Sequence, residues 1–177
     1  MAQLVARTAG GREVAGSSPV TPTMESVSRM RGVFLYDDRM QYDELKFFTD
    51  GGSRGNPGPA ASGVVILTMN DEVVEEIGQF LGVASNNVAE WNAVKIAMEE
   101  VAKYKPKRVH GYMDSELVCR QLNGQYRVKH PDLKPFFETV TKLAQSYDVT
   151  FEHVYREKNK LADAQVNLAI DRALGLK

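Results

Sequence analysis

The sequence is poor in cysteine, lacks a long apolar run and carries no excess of charge of either sign. Its one cysteine, Cys119, excludes an internal disulfide framework and a zinc site built from cysteines. The apolar run Val64-Val65-Ile66-Leu67 is far shorter than the roughly 18 residues that a membrane span needs. With 22 basic and 23 acidic residues the formal net charge is −1. This balance excludes a nucleic-acid binder that works by bulk positive charge, because such domains usually have a pI above about 9.

The remaining composition is that of one globular domain with a tail. The chain has 177 residues, of which 43% are hydrophobic and 25% charged. The lack of disulfides and of membrane spans favours a cytoplasmic location without a membrane partner. We expect a monomer, because no apolar stripe is left over once the core faces of the predicted elements are assigned.

Residues 1–23 differ from the rest in having a single acid and no helical or strand period. We interpret them as the translation of a transfer-RNA gene, with Ala2–Arg7 resembling the D arm and Gly16–Val20 the T arm. The true start would then be one of three methionines, Met24, Met30 or Met40. An organelle transit peptide and a disordered tail are the alternatives. Residues 24–44 are interpreted as a linker, and residues 45–177 as the domain.

The domain segment predicts the element order βββαβααβα. Strands are expected where β-branched and aromatic residues cluster between turn residues, at 45–49, 62–68, 72–81, 107–113 and 149–155. Helices are expected where apolar residues recur at three- and four-residue steps, at 86–103, 115–124, 131–146 and 160–174. Asn86 or Asn87 is expected to cap the first of these helices. The residues expected on one face are Glu90, Val94, Ala97 and Val101 in the first helix and Ala162, Val166, Ala169 and Ala173 in the last. The predicted fold is α/β, a five-stranded mixed sheet flanked by helices, with the segment Gly51–Pro59 as a loop.

Four carboxylates lie where predicted strands end or predicted helices begin. Asp50 and Asp114 end strands, and Glu90 and Asp163 fall in the first turns of helices. Ligands of open α/β sheets gather at such places. Acids in a first helical turn also complement the helix dipole, so each acid taken alone is better explained as a solvated or capping group.

The neighbourhoods of these acids resemble the motifs of type 1 ribonuclease H. Phe48–Ala60 resembles the opening motif of that family, and Asn86–Trp91 its Asn-Asn-x-x-Glu helix start. Met113–Val118 resembles its Asp-Ser strand end, and Arg156–Asp163 the final Asn-x-x-Ala-Asp segment of members with a short loop. The resemblance covers about 130 residues, Leu45 to Ala173, in the family's order, and it implies a ribonuclease H-like fold.

This resemblance implies an endoribonuclease that hydrolyses the RNA strand of RNA–DNA hybrids with two Mg²⁺ ions, or with Mn²⁺. Asp50 would contact both ions, Glu90 and Asp114 would hold one, and Asp163 the other. Two metal ions can stabilise the attacking and leaving oxygens of a phosphodiester together. Carboxylate oxygens are the ligands that Mg²⁺ prefers.

The resemblance also implies a set of substrate contacts. Most would read the hybrid's minor groove, where RNA displays its 2′-hydroxyl groups; these are Gly51 through its backbone, Ser53, Asn56, Asn86, Asn87 and Glu116. Ser85 would grip a phosphate of the DNA strand. The chain departs from many family members in lacking a histidine in the loop Tyr155–Asn159 and a basic protrusion, for which Arg127, Lys129, His130 and Lys134 are a modest substitute.

Three other functions remain open at this point. One is a non-catalytic module of the same fold that only binds hybrids or double-stranded RNA. Another is a nuclease of the same fold that cleaves double-stranded RNA. The last is a small α/β protein whose acids have no common role. Retention of all four acids favours an enzyme over a binding module, because a crowded acid cluster is costly without metal ions.

Overall fold

The computed structural model describes residues 42–176, so the predicted leader and the linker up to residue 41 lie outside the described residues. The strands are β1 Glu44–Ser53, β2 Gly58–Thr68, β3 Val73–Ala84, β4 Arg108–Met113 and β5 Asp148–His153. The helices are α1 Asn86–Tyr104, α2 Glu116–Leu122, α3 Lys134–Ala144 and α4 Lys160–Ala173, with short 3₁₀ helices at Pro131–Leu133 and Arg156–Lys158. This order confirms the predicted βββαβααβα fold. Within residues 42–176, no helix has the length and apolar character needed to cross a membrane.

The five strands form one mixed sheet in the order β3-β2-β1-β4-β5. β1 pairs antiparallel with β2, and β2 with β3, whereas β1–β4 and β4–β5 are parallel. Thr49 of β1 lies opposite Met113 of β4. The residues that follow them, Asp50 and Asp114, therefore come from neighbouring parallel strands at the same edge of the sheet.

The glycine-rich segment forms more strand than its composition predicts. β1 continues to Ser53 and β2 begins at Gly58, so the predicted nine-residue loop shrinks to residues 54–57. Gly51 pairs with Ser62 across this hairpin. A Cβ atom on Gly51 would lie 2.1 Å from the backbone nitrogen of Glu90. Gly51 therefore allows a strand and a helix to approach closely. It does not form a turn, as the composition of the segment Gly51–Pro59 suggested.

The start of β1 also differs slightly from the prediction, since the strand begins at Glu44. The Tyr42 ring packs edge-on against Tyr104 at a centroid distance of 5.6 Å. The Asp43 carbonyl accepts hydrogen bonds from the backbone N–H groups of Lys107 and Arg108. Residues 42–44 thus belong to the packed domain and not to a linker.

The helices cover both faces of the sheet. Ser62 of β2 faces α1, because its hydroxyl donates to the Ala89 carbonyl at 2.7 Å. Its neighbour Gly63 faces α4, where a Cβ atom would lie 2.2 Å from the Ala162 carbonyl oxygen. Since successive strand residues point to opposite faces, α1 and α4 lie on opposite sides of the sheet.

The main core lies between the sheet and α1. Trp91 is fully buried, meets the Phe137 ring edge-on at 5.9 Å and donates from its indole nitrogen to Gln121 at 3.1 Å. The predicted apolar face of α1 is confirmed, since Val94, Ala97 and Val101 are all buried. Trp91 is therefore a core residue and not a base-stacking platform.

The buried stripe of α4 differs from the prediction at its last position. Ala162, Val166 and Ala169 are buried as expected, whereas Ala173 is exposed. Ile170 takes its place in the buried cluster. Ala173 is the last residue of the helix and lines a surface pocket beside β3.

Gly63→Ala is expected to lower the free energy of unfolding by about 3 kcal/mol, because the new methyl group would overlap backbone atoms of α4 that have no room to move. Gly82→Ala is the matched control. Gly82 has a φ of +75° but open space around it, so only backbone strain of about 1 kcal/mol is expected there. Urea denaturation measures both. An equal loss in the two variants would contradict the close contact between α4 and the sheet.

Candidate active site

The structure brings three of the four predicted acids into one cluster. Asp50 lies in β1, Glu90 in α1 and Asp114 directly after β4, and each offers a carboxylate oxygen within 4.8 Å of the other two. Asp50 and Glu90 are each only 7% exposed. Three buried or half-buried acids from three separate elements thus share one pocket.

Glu90 reaches this cluster through the way α1 begins. Ser85 caps the helix, its hydroxyl oxygen accepting from the Val88 N–H at 3.4 Å. The cap is therefore Ser85 and neither of the predicted asparagines. Glu90 is the fifth helical residue, just past the first turn in which it was predicted. Its carboxylate is hydrogen-bonded by the Gly51 backbone and the Asn86 side chain.

The fourth acid, Asp163, lies in the same cleft but has partners of its own. It sits in the first turn of α4. Arg156 donates to its Oδ1 at 2.6 Å, and Asn167 donates to its Oδ2 at 3.0 Å. The cleft has a volume of about 280 Å³ and is lined by all four acids together with Arg156 and Asn167.

Sequence reasoning missed Arg156 and Asn167. Asn167 follows Asp163 by four residues on the same helix, a spacing that brings side chains together and could have revealed it. Arg156 lies in the loop where many family members carry a histidine. The positive charge that contacts Asp163 therefore comes from an arginine, which stays charged at every relevant pH.

Burial and mutual repulsion make this cluster costly without a counter-charge. Burial, followed by the charges of Asp114 and Asp163, raises the pKa of Asp50 from 3.8 to about 7, and Arg156 opposes the rise. Burial also raises the pKa of Glu90 well above its ordinary value, with Asp50 and Asp114 adding to the effect. Shared burial of like charges is the physical cause in both cases.

One oxygen of the cluster is chemically unsatisfied. Oδ1 of Asp114 is buried and has no hydrogen-bond partner. Buried polar atoms are nearly always paired, so such an atom beside two further carboxylates is suited to binding a cation. An all-oxygen donor set suits a hard divalent ion such as Mg²⁺ and not a soft metal. The residues present therefore fit a divalent metal ion.

The residues predicted to contact substrate spread from this cleft along the hairpin and the start of α1. Gly51, Ser53 and Asn86 line the cleft itself. The Asn56 side chain accepts from the Asn86 N–H at 3.2 Å. The others lie outside the cleft lining: Ser85 caps α1, Asn87 is exposed beside it, and Glu116 pairs with Arg120 at 2.6 Å in α2.

The histidines occupy three different surroundings. His153 is nearest the acids, with Nε2 3.2 Å from the Asp114 carbonyl oxygen. His110 bonds Glu44 at 2.6 Å, at the opposite end of β1 from Asp50. His130 caps the 3₁₀ helix that begins at Pro131. His153 is thus held against the backbone of an acid and not against a carboxylate.

The comparisons with known proteins agree on one family. The profile of the family described as reverse transcriptase-like matches residues 48–169. A bifunctional protein of Mycobacterium tuberculosis is 40% identical over 126 residues, which are 70% of this chain and 35% of that protein. The chain therefore spans about a third of the length of this relative. Ribonuclease HI of Halobacterium salinarum is 39% identical over 127 residues, 71% of this chain and 64% of that protein.

A solved structure gives the same result in three dimensions. The crystal structure of LC11-RNase H1 in complex with an RNA/DNA hybrid superposes with a TM-score of 0.70 at 40% sequence identity. The match covers 73% of this chain and 99% of that one.

The raised pKa of Asp50 predicts that the metal-free domain loses stability as the pH rises. The folded state binds this proton more tightly than the unfolded chain, so the stabilisation is full below about 3.8 and lost as the pH passes about 7. Melting in EDTA at pH 5 and pH 8 measures it. Each pKa unit corresponds to about 1.4 kcal/mol.

The variant Asp50→Asn should reduce this pH dependence and leave the part that comes from the raised pKa of Glu90. Millimolar Mg²⁺ should raise the melting temperature of the wild type at pH 8. Asp132→Asn is the control, because its side chain is 72% exposed and outside the cleft. A wild type as stable at pH 8 as at pH 5, and unaffected by Mg²⁺, would contradict the electrostatics described above.

Proposed function

The chain belongs to the type 1 ribonuclease H family, and from this premise we propose that it is an endoribonuclease that hydrolyses the RNA strand of RNA–DNA hybrids. One observation carries the proposal: three carboxylates within 4.8 Å of one another, one of them with a buried oxygen that has no partner. The names of the relatives support it, since one is a ribonuclease HI and another was solved with an RNA/DNA hybrid.

The proposed cofactor is a pair of Mg²⁺ ions, with Mn²⁺ as the alternative. Asp50, Glu90 and Asp114 would hold one ion, and Asp50 and Asp163 the second. When bound, the ions would supply positive charge to the attacking and leaving oxygens and make water a better nucleophile. The all-oxygen donor set supports a hard ion of this kind.

The other cleft residues have roles that follow from their positions. Arg156 holds Asp163 through the 2.6 Å contact and opposes the rise in the pKa of Asp50, so it favours the ionised form of that acid. Asn167 holds the second oxygen of Asp163. Because both oxygens are engaged, the side chain of Asp163 has a defined orientation toward the cleft.

Substrate binding is proposed along the hairpin tip and the start of α1. Gly51, Ser53 and Asn86 line the cleft and would meet the sugar edge of the RNA strand. Asn56, Asn87 and Glu116 would extend this contact, and Ser85 would bind a DNA phosphate.

We further propose that the protein acts in the cytoplasm as a monomer that binds hybrid weakly and with strong salt dependence. The free, buried Cys119 is suited to a reducing compartment. The formal charge of −1 leaves phosphate contacts to a few local basic groups. Their counterion release makes affinity fall with added salt.

The nuclease proposal is tested with labelled RNA–DNA hybrid, double-stranded RNA and double-stranded DNA, each with Mg²⁺ or Mn²⁺. Cleavage of the RNA strand of the hybrid alone is expected. Asp50→Asn should lower kcat by about a thousandfold or more, because it removes a charge on which the proposed metal pair depends.

Asp71→Asn is the matched control, an aspartate in the turn between β2 and β3 whose side chain is 78% exposed. It should cleave like the wild type. Binding of hybrid without cleavage would indicate a non-catalytic module instead. Equal cleavage of double-stranded RNA would indicate a nuclease of the same fold with a different substrate.

A further inference from the structure

An ion pair ties the hairpin loop between β1 and β2 to the last helix. Arg54, the first residue after β1, donates from Nη2 to Oδ1 of Asp171 at 2.6 Å. Asp171 lies two turns beyond Asp163 on α4 and is only 7% exposed. The two partners are 117 residues apart in sequence. The contact therefore joins the tip of the hairpin to the helix that carries the fourth acid.

The loop between β1 and β2, residues 54–57, is a tight turn with little conformational freedom. The Arg54 N–H donates to the Pro59 carbonyl at 2.8 Å and closes the turn. Gly55 has a φ of +98°, and a Cβ atom on Gly58 would lie 2.2 Å from the Arg54 carbonyl oxygen. In so tight a turn, a displacement of Arg54 must also move its neighbours.

The same loop has a second anchor on the opposite side of the cleft. Asn56 accepts from the Asn86 N–H at 3.2 Å, so the loop touches the first residue of α1. Ser53 directly precedes the first anchor and Asn56 forms the second, and both are proposed above to contact the RNA strand. The loop thus forms a bridge from α4 to α1 across one rim of the cleft.

The ion pair is suited to fixing a position more than to adding stability. Arg54 is 39% exposed at its side chain, and an exposed guanidinium in water adds little stability when it pairs. Asp171 is buried on α4 next to the buried residue Ile170, so its carboxylate cannot shift when the loop moves. Asp171 is thus the fixed partner and Arg54 the adjustable one, and their contact holds the loop at a set distance from the helix.

We propose that Arg54 and Asp171 are positioning residues for hybrid binding, which hold the loop so that Ser53 and Asn56 face the sugar edge of the RNA strand. The inference rests on the proposed function. Arg54 lines the cleft, but among residues 42–176 no hydrogen bond or ion pair joins Arg54 or Asp171 to the three acids of the cluster. Their effect is therefore expected on substrate binding and not on the hydrolytic step.

Steady-state cleavage of a labelled hybrid by Arg54→Gln and Asp171→Asn tests this assignment. Each variant should raise KM about fivefold and leave kcat within about twofold, as expected when uniform binding is lost. The double variant should be no worse than either single variant, because both remove the same contact. Arg54→Lys, which keeps the charge, should restore most of the affinity.

Hydrogen exchange gives a readout that does not depend on activity. Peptides covering residues 51–59 should exchange faster in Arg54→Gln and Asp171→Asn than in the wild type. Asp71→Asn is the matched control, since it breaks an ion pair of the same 2.6 Å length with Lys46 at the other hairpin turn. It should change neither KM nor exchange in residues 51–59.

The outcomes separate this inference from the proposed function. A wild type that neither binds nor cleaves hybrid overturns the proposed function and this inference with it. A wild type that cleaves hybrid while Arg54→Gln and Asp171→Asn keep its KM overturns the inference alone. So does a fall in kcat at unchanged KM, or an unchanged exchange rate in residues 51–59.

Discussion

Backbone contact between the sheet and its flanking helices is the constraint on which the site depends. At Gly51 the strand touches the backbone of Glu90, and at Gly63 the next strand touches that of Ala162, beside Asp163. No side chain separates these elements, so the acids on α1 and α4 come within reach of Asp50. A larger residue at either glycine would push a helix outward and take its carboxylate with it. The positions of the acids are thus decided by residues that carry no charge.

The acids on the two sides of the cleft differ in how their carboxylate oxygens are hydrogen-bonded. On one side Asp114 keeps a buried oxygen without a partner, beside Asp50 and Glu90. On the other side both oxygens of Asp163 are already engaged by Arg156 and Asn167. The first arrangement leaves negative charge uncompensated, and the second balances it with an internal cation. The cleft therefore combines a strongly acidic part with one whose charge is partly balanced by Arg156.

Much of the fold and all four acids could be predicted from the sequence, because strand composition, helical period and motif order are local signals. The predicted loop, residues 51–59, is longer than the observed loop, residues 54–57, because glycine and proline in a sequence signal turns. Gly51 instead lies inside a strand, where it allows close packing against a helix. The contact between Arg54 and Asp171 could not be predicted, since 117 residues separate the partners and no period relates them. Asn167 could have been predicted as a partner of Asp163, because a spacing of four residues on one helix places the two side chains next to each other.

The single tryptophan gives this domain a built-in optical reporter. Trp91 is fully buried, follows Glu90 directly and bonds Gln121 of α2 through its indole nitrogen. Its fluorescence therefore arises from a dry site one residue from the acid cluster, and exposure to water would shift the emission to longer wavelength. Because the chain has one tryptophan, the tryptophan signal has one origin. It therefore reports how α1 packs on the sheet, without any attached dye.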